Sequence, residues 1–238
     1  MKPTALYLAA LALMFASCRK EDPEKPKVIY DTQKAKPAPV PAVDTSNIQI
    51  ADLPIPITGT DFLVHPIGDL RVMDGSRSGS RSYNDVSYNI SNYGEFEITG
   101  YLRNLKFQRM GTDSLMVLTN EPVMIQSATY LTAVAEKIRK QVFVYTLSDS
   151  DTNKDGRLDQ SDIRSLYLSY LGGEGFVKVS PDMQELIDWK IVPESGRLYF
   201  RTIEDTNKNG EFDKDDTLHY NYVDLSAKEW SAVPYNPV

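Results

Sequence analysis

Asp151, Asn153, Asp155, Asp159 and Asp162 stand at positions 1, 3, 5, 9 and 12 of a twelve-residue stretch, with Gly156 at position 6. Side-chain oxygens at this spacing suit a hard divalent cation such as calcium, which takes about six to eight oxygen ligands. Glycine lets the chain turn sharply beneath the ion. The main-chain carbonyl of Arg157, at position 7, completes the expected set. A second copy begins 54 residues later and offers Asp205, Asn207, Asn209, the Glu211 carbonyl, Asp213 and Asp216, with Gly210 at position 6. Loop 1 has four side-chain carboxylates at ligand positions and loop 2 has three. Loop 1 is therefore expected to hold calcium more tightly, because ligand charge helps tune affinity. Leu158 and Phe212, at position 8, are expected to anchor the two loops to the core.

Other chemistry is sparse. His65 and His219 are the only histidines, far apart in sequence and on different strand candidates, and Cys18 is the only cysteine, so no intramolecular disulfide forms. No Gly-x-Ser-x-Gly elbow, zinc-type histidine pair or phosphate loop occurs. Glu95 with Glu97, or Asp188 with Glu194, would form acid pairs only if folding brought them together. A carboxylate-based glycan-processing enzyme is thus an alternative, and the chain reads as a non-enzyme. The net charge of −7 and the lack of a basic stripe give no sign of a nucleic-acid partner.

The elements around the loops read as short strands. Candidates are Asp61–His65, Val86–Ser91, Phe96–Tyr101, Asn104–Arg109, Ser114–Thr119, Val123–Thr129 and Val142–Leu147. They continue with Ile163–Tyr170, Phe176–Ser180, Leu186–Ile191, Leu198–Ile203, Leu218–Leu225 and Trp230–Val233. Most carry β-branched or aromatic residues between turn residues. Ile163, Leu166, Tyr167, Tyr170 and Leu171 also form a helical stripe. The second copy of that segment, Thr-Leu-His-Tyr-Asn-Tyr-Val-Asp, alternates as a strand, and it turns the reading of 163–170 toward strand. Each repeat then reads strand, metal loop, strand, turn, short strand. Between Asp74 and Asp85, Arg77 and Arg81 lie in a Gly/Ser-rich loop read as solvated.

The N-terminus reads as an address. Residues 1–17 combine Lys2, an apolar run from Ala5 to Phe15 and small residues before Cys18, the pattern of a secretory signal. Ala16-Ser17-Cys18 resembles the lipobox of bacterial lipoproteins, with Phe15 where that family usually has Leu. The resemblance implies lipidation of Cys18 and a membrane partner. Arg19-Lys20-Glu21-Asp22 resembles the export signal of Bacteroidetes surface lipoproteins, implying an outer-membrane, cell-surface location ahead of a periplasmic one. Residues 18–57 hold seven of the 14 prolines and read as a tether, extended where polyproline-like.

The head, 58–238, is expected to be all-β. Val179-Ser-Pro-Asp182, Asp188-Trp-Lys-Ile-Val-Pro193 and Gly196-Arg-Leu-Tyr-Phe200 resemble the blade boundary of Tol-system and related periplasmic β-propellers. That implies about three antiparallel blade-like repeats, near 60–119, 120–180 and 181–238, with calcium loops in hairpins. Propellers typically close with about four to eight blades. An open blade stack, a ring completed by a second chain as a homodimer, and a β-sandwich all stay open. Asp at position 12 resembles the loops of dockerins, which makes a dockerin-like assembly module a further alternative. The preferred reading is a calcium-stabilised lipoprotein with a glycan, peptide or envelope-protein ligand.

Overall fold

The computed structural model describes residues 25–30, 47–71, 88–91 and 96–238. The signal sequence, Cys18, the charged run after it, Glu95 and the Arg77/Arg81 loop lie outside the described residues. Among the described residues the head forms three antiparallel sheets, and none of them closes on itself. The first orders β1 (Asn47–Ala51), β3 (Phe62–Arg71), β6 (Asn104–Arg109) and β7 (Leu115–Val117), with β2 (Ile55–Pro56) also on β3. The second runs β11 (Val177–Lys178), β10 (Ser165–Tyr170), β9 (Val142–Ser148), β8 (Met124–Tyr130), β5 (Phe96–Leu102), β4 (Tyr88–Ser91). The third is β12 (Gln184–Val192), β13 (Arg197–Glu204), β14 (Thr217–Asp224), β15 (Val233–Pro234).

The central strand β9 explains how the sheets stack. Successive side chains of a strand point to opposite faces, and here both faces are apolar. Phe143, Tyr145 and Leu147 pack with Val64, Leu105 and Phe107 of the first sheet. Val142 and Val144 pack instead with Leu186, Leu198, Phe200 and Val223 of the third. The second sheet is therefore a middle layer with a hydrophobic core on each side. Tyr145 is fully buried, and its hydroxyl is satisfied by Ser169 Oγ at 2.8 Å.

Within 163–170 the strand is Ser165–Tyr170, with Ser165 opposite Leu147 and Tyr170 opposite Val142. The strand uses both faces: Leu166 and Leu168 lie in the second core while Tyr167 packs against the first. One short helix, α1 (Thr132–Ile138), does form between β8 and β9. Ala133, Ala135, Glu136 and Lys137 favour helix, Leu131, Val134 and Ile138 face the second core, and Arg139 ends it in the left-handed conformation at φ 57°.

Sheet boundaries follow the repeat division only in part. The third sheet falls within 181–238, whereas β4 and β5, drawn with 60–119, join the middle sheet, β5 pairing with β8 and β4 with β5. The chain changes sheets across the single residue Arg103, whose amide donates to Ile67 O at 2.7 Å. Such a switch carries no turn residue to mark it.

The tether is tied to the head in two places. Its C-terminal end forms β1 and β2 on β3, and Ile57 is buried. Its start, Lys25–Tyr30, lies against both candidate metal loops, and Val28 is buried. Among the described residues no helix is long and apolar enough to cross a membrane.

Candidate metal centres

Loop 1 joins β9 to β10 and loop 2 joins β13 to β14, so each spans the turn of an antiparallel pair. Their internal hydrogen bonds match position by position. Asp151 accepts the amides of Asp155 (3.2 Å) and Gly156 (2.8 Å); Asp205 accepts those of Asn209 (3.1 Å) and Gly210 (2.7 Å). Asn153 and Asn207 take the position-5 amide, each at 2.9 Å. Asp155 and Asn209 accept the amides of Arg157 and Glu211, each at 2.8 Å. Asp162 closes loop 1 by accepting from Thr152 N (2.8 Å) and Asp159 N (3.0 Å), as Asp216 does from Thr206 N (3.1 Å) and Asp213 N (2.9 Å).

The backbone repeats as closely. Lys154 and Lys208, at position 4, have φ of 58° and 57°, and Gly156 and Gly210 have 83° and 86°. Leu158 and Phe212 are half-buried at the loop bases. Arg103 braces loop 1 from outside, donating to Leu158 O (3.1 Å) while pairing with Asp69 (2.7 Å).

The loops differ in burial and in surroundings. Asp162 is fully buried whereas Asp216 is half-exposed. Burial raises the Asp162 carboxyl despite the amides that solvate it. Asp159 accepts from Ser161 N (2.9 Å) and Ser161 Oγ (2.5 Å). Just before loop 1, Asp149 is held by Lys178 (2.8 Å) and Tyr167 Oη (2.7 Å). Burial alone would raise the Asp149 carboxyl; those bonds outweigh it and hold it below the ordinary value.

The donor set is all oxygen, drawn from carboxylates, Asn amides and main-chain carbonyls, which fits calcium and not a thiolate- or imidazole-seeking metal. Among the described residues, no three His, Cys, Asp or Glu side chains gather as a metal-binding group. Calcium loops of this spacing do not rely on carboxylates alone. Every carboxylate of loops 1 and 2 named above accepts amides of its own loop, and each retains further lone pairs.

The remaining candidates are otherwise engaged. His65 bonds Gln108 at 2.9 Å, and His219 bonds Glu204 at 2.8 Å. Asp188 is held by Arg201, and Glu97 accepts from Thr129 Oγ1 at 2.9 Å.

Sequence reasoning missed the third partner of the loops, the segment Lys27–Tyr30. The Lys27 amide donates to Ser161 O (3.1 Å), Val28 to Gly210 O (3.0 Å) and Ile29 to Thr152 O (2.9 Å). Thr152 Oγ1 donates to Lys27 O at 3.0 Å. Tyr30 hydrogen-bonds Asp205, and burial together with Asp205 pushes its hydroxyl up to about 12. A three-residue apolar run, Val28-Ile-Tyr30, within a Pro- and Lys-rich stretch was the available signal. Neither a protein-family model, a curated protein nor a solved structure matches this chain.

Proposed function

We propose that the chain is a calcium-binding, lipid-anchored envelope protein of the outer membrane. Its all-β head is stabilised by two loops and serves ligand binding or assembly at the cell surface. The observation that carries this reading is the position-by-position identity of the hydrogen bonds in two loops 54 residues apart. Two acidic turns have no reason to share one unusual backbone path unless a common requirement selects it. Coordination of a hard cation is such a requirement. Both loops close hairpins, where clustered carboxylates repel one another, so the metal's role is structural. Each loop leads into a strand and not a helix, which sets the chain apart from a dockerin-like module.

Thermal unfolding in calcium and in chelator tests the metal. The expected result is a clear rise in Tm with calcium, since a ligand at 100 times its Kd adds about 2.7 kcal/mol. An unchanged Tm and no bound calcium by elemental analysis would sink the reading. Loss of membrane association on Cys18→Ala tests the anchor.

A further inference from the structure

We propose that the two loops act together as one clasp for extended chain, that its occupant is this protein's own Lys27–Tyr30, and that calcium in the loops closes it. The clasp rests on the calcium reading of both loops. Successive amides of an extended chain point to opposite sides. Here Lys27 and Ile29 donate to loop 1 and Val28, between them, donates to loop 2. The segment is thus flanked on both sides, like a central strand, by residues more than 120 positions away. Val28 is 3% exposed while Ile29 is 52% exposed, so one side chain is inserted and its neighbour faces out. On loop 2, the Val28 carbonyl oxygen occupies the place that a Cβ on Gly210 would take.

The grip is joined directly to the metal ligands. Thr152, which holds Lys27 and Ile29, is itself held by Asp162 at position 12, through its amide at 2.8 Å. Gly210, which accepts from Val28, donates to Asp205 at position 1, at 2.7 Å. Tyr30 bonds the same Asp205. Ions that fix Asp162 in loop 1 and Asp205 in loop 2 therefore fix both jaws. Lys27 and Glu211 lie 4.0 Å apart, both well exposed, and such a pair contributes little.

The consequence is a change of reach. With the clasp closed, ten residues separate Cys18 from Val28, about 35 Å at full extension. Opened, the next described residue that pairs with the head is Asn47 in β1, and the chain from Cys18 to that point can reach up to about 100 Å. Calcium would then hold the head close to the lipid anchor, and its loss would let the head extend.

Residue-resolved hydrogen exchange on the full chain, with calcium stoichiometry from calorimetry, tests the clasp. With calcium, the amides of Lys27, Val28 and Ile29 should exchange at least about tenfold more slowly than in chelator. Val28→Asp should abolish that protection while still binding two ions. Ile29→Pro, at an exposed side chain, removes the amide given to Thr152 and should release Lys27 and Val28 without threatening the fold. Amides of the middle sheet serve as the folding reference. If two ions bind but the three amides exchange as fast as in either variant, the clasp is overturned and the calcium reading stands. Equal protection with and without calcium overturns the metal's part in closing it. If no calcium binds, the underlying reading falls, and calorimetry alone shows that.

Discussion

The amide of Val28 donates to the Gly210 carbonyl at 3.0 Å, and the Val28 carbonyl fills the space that a side chain on Gly210 would need. Gly156, the matching residue of loop 1, has the same left-handed backbone but open space around it. Loop 2 thus needs glycine for two reasons and loop 1 for one.

This pair of glycines separates backbone strain from strap contact. Gly156→Ala should cost about 1–2 kcal/mol, the usual penalty for a side chain in the left-handed region. Gly210→Ala should cost clearly more, because Val28 must also move. Denaturant unfolding of both variants at one fixed calcium concentration checks this. Equal losses would mean that the strap contributes nothing at Gly210.

The middle sheet gives a second prediction. Phe143 and Val144 are adjacent, fully buried and point into different cores. Phe143→Ala should cost about 3–5 kcal/mol, and Val144→Ala a smaller but still substantial amount from its own cavity. A two-layer sandwich would leave one of the two substitutions close to neutral. Chemical denaturation reads both.

Much of this fold is visible in residue types, and the parts that are not share a cause. Alternation in Thr217–Asp224 marked a strand and carried 163–170 with it, because burial on one or both faces dictates apolar spacing locally. β1 and β2 were hidden by Pro54 between them and Pro56 within β2. Proline is tolerated in β2 because that strand pairs only with β3 and sits at an edge. The loops were legible because their oxygen-bearing residues and Gly156 or Gly210 fall within twelve residues, and the internal hydrogen bonds of each loop are local. The strap was not, because its hydrogen bonds use main-chain groups, which every residue owns. What distinguishes Val28 is where it lands, and that depends on two hairpins meeting in space.

Glu185 yields a prediction in pH. It is buried at the start of β12, where it accepts Arg164 N at 2.7 Å and Arg164 Nε at 2.5 Å. Burial raises its carboxyl above the ordinary 4.5, against the lowering effect of Arg164. The folded chain therefore holds that proton more tightly than the unfolded chain. The resulting stability is full below pH 4.5 and is lost as pH climbs through the raised value. Glu185→Gln has no proton to lose. The stability of the native chain relative to this variant should fall as pH rises above 4.5. Unfolding curves at constant ionic strength read the difference; a flat or rising one contradicts the burial argument.

The two position-1 aspartates should prove unequal. Each accepts two amides of its own loop, so either alanine variant loses a ligand and leaves the position-6 glycine amide unpaired, while the position-5 amide keeps its Asn partner. Loop 1 starts with four ligand carboxylates and loop 2 with three, so the tighter of the two isotherm phases belongs to loop 1. Asp151→Ala should remove that phase, a loss of at least about tenfold in affinity, and Asp205→Ala should remove the weaker one. Titration calorimetry decides it, and the reverse order would refute the charge argument. Asp205 also bonds Tyr30 and Gly210. Its substitution should therefore speed amide exchange at Lys27–Ile29, whereas Asp151→Ala leaves the Gly210 side of the strap in place. Affinity and strap release then separate: the variant with the smaller loss of binding shows the larger loosening of the tether.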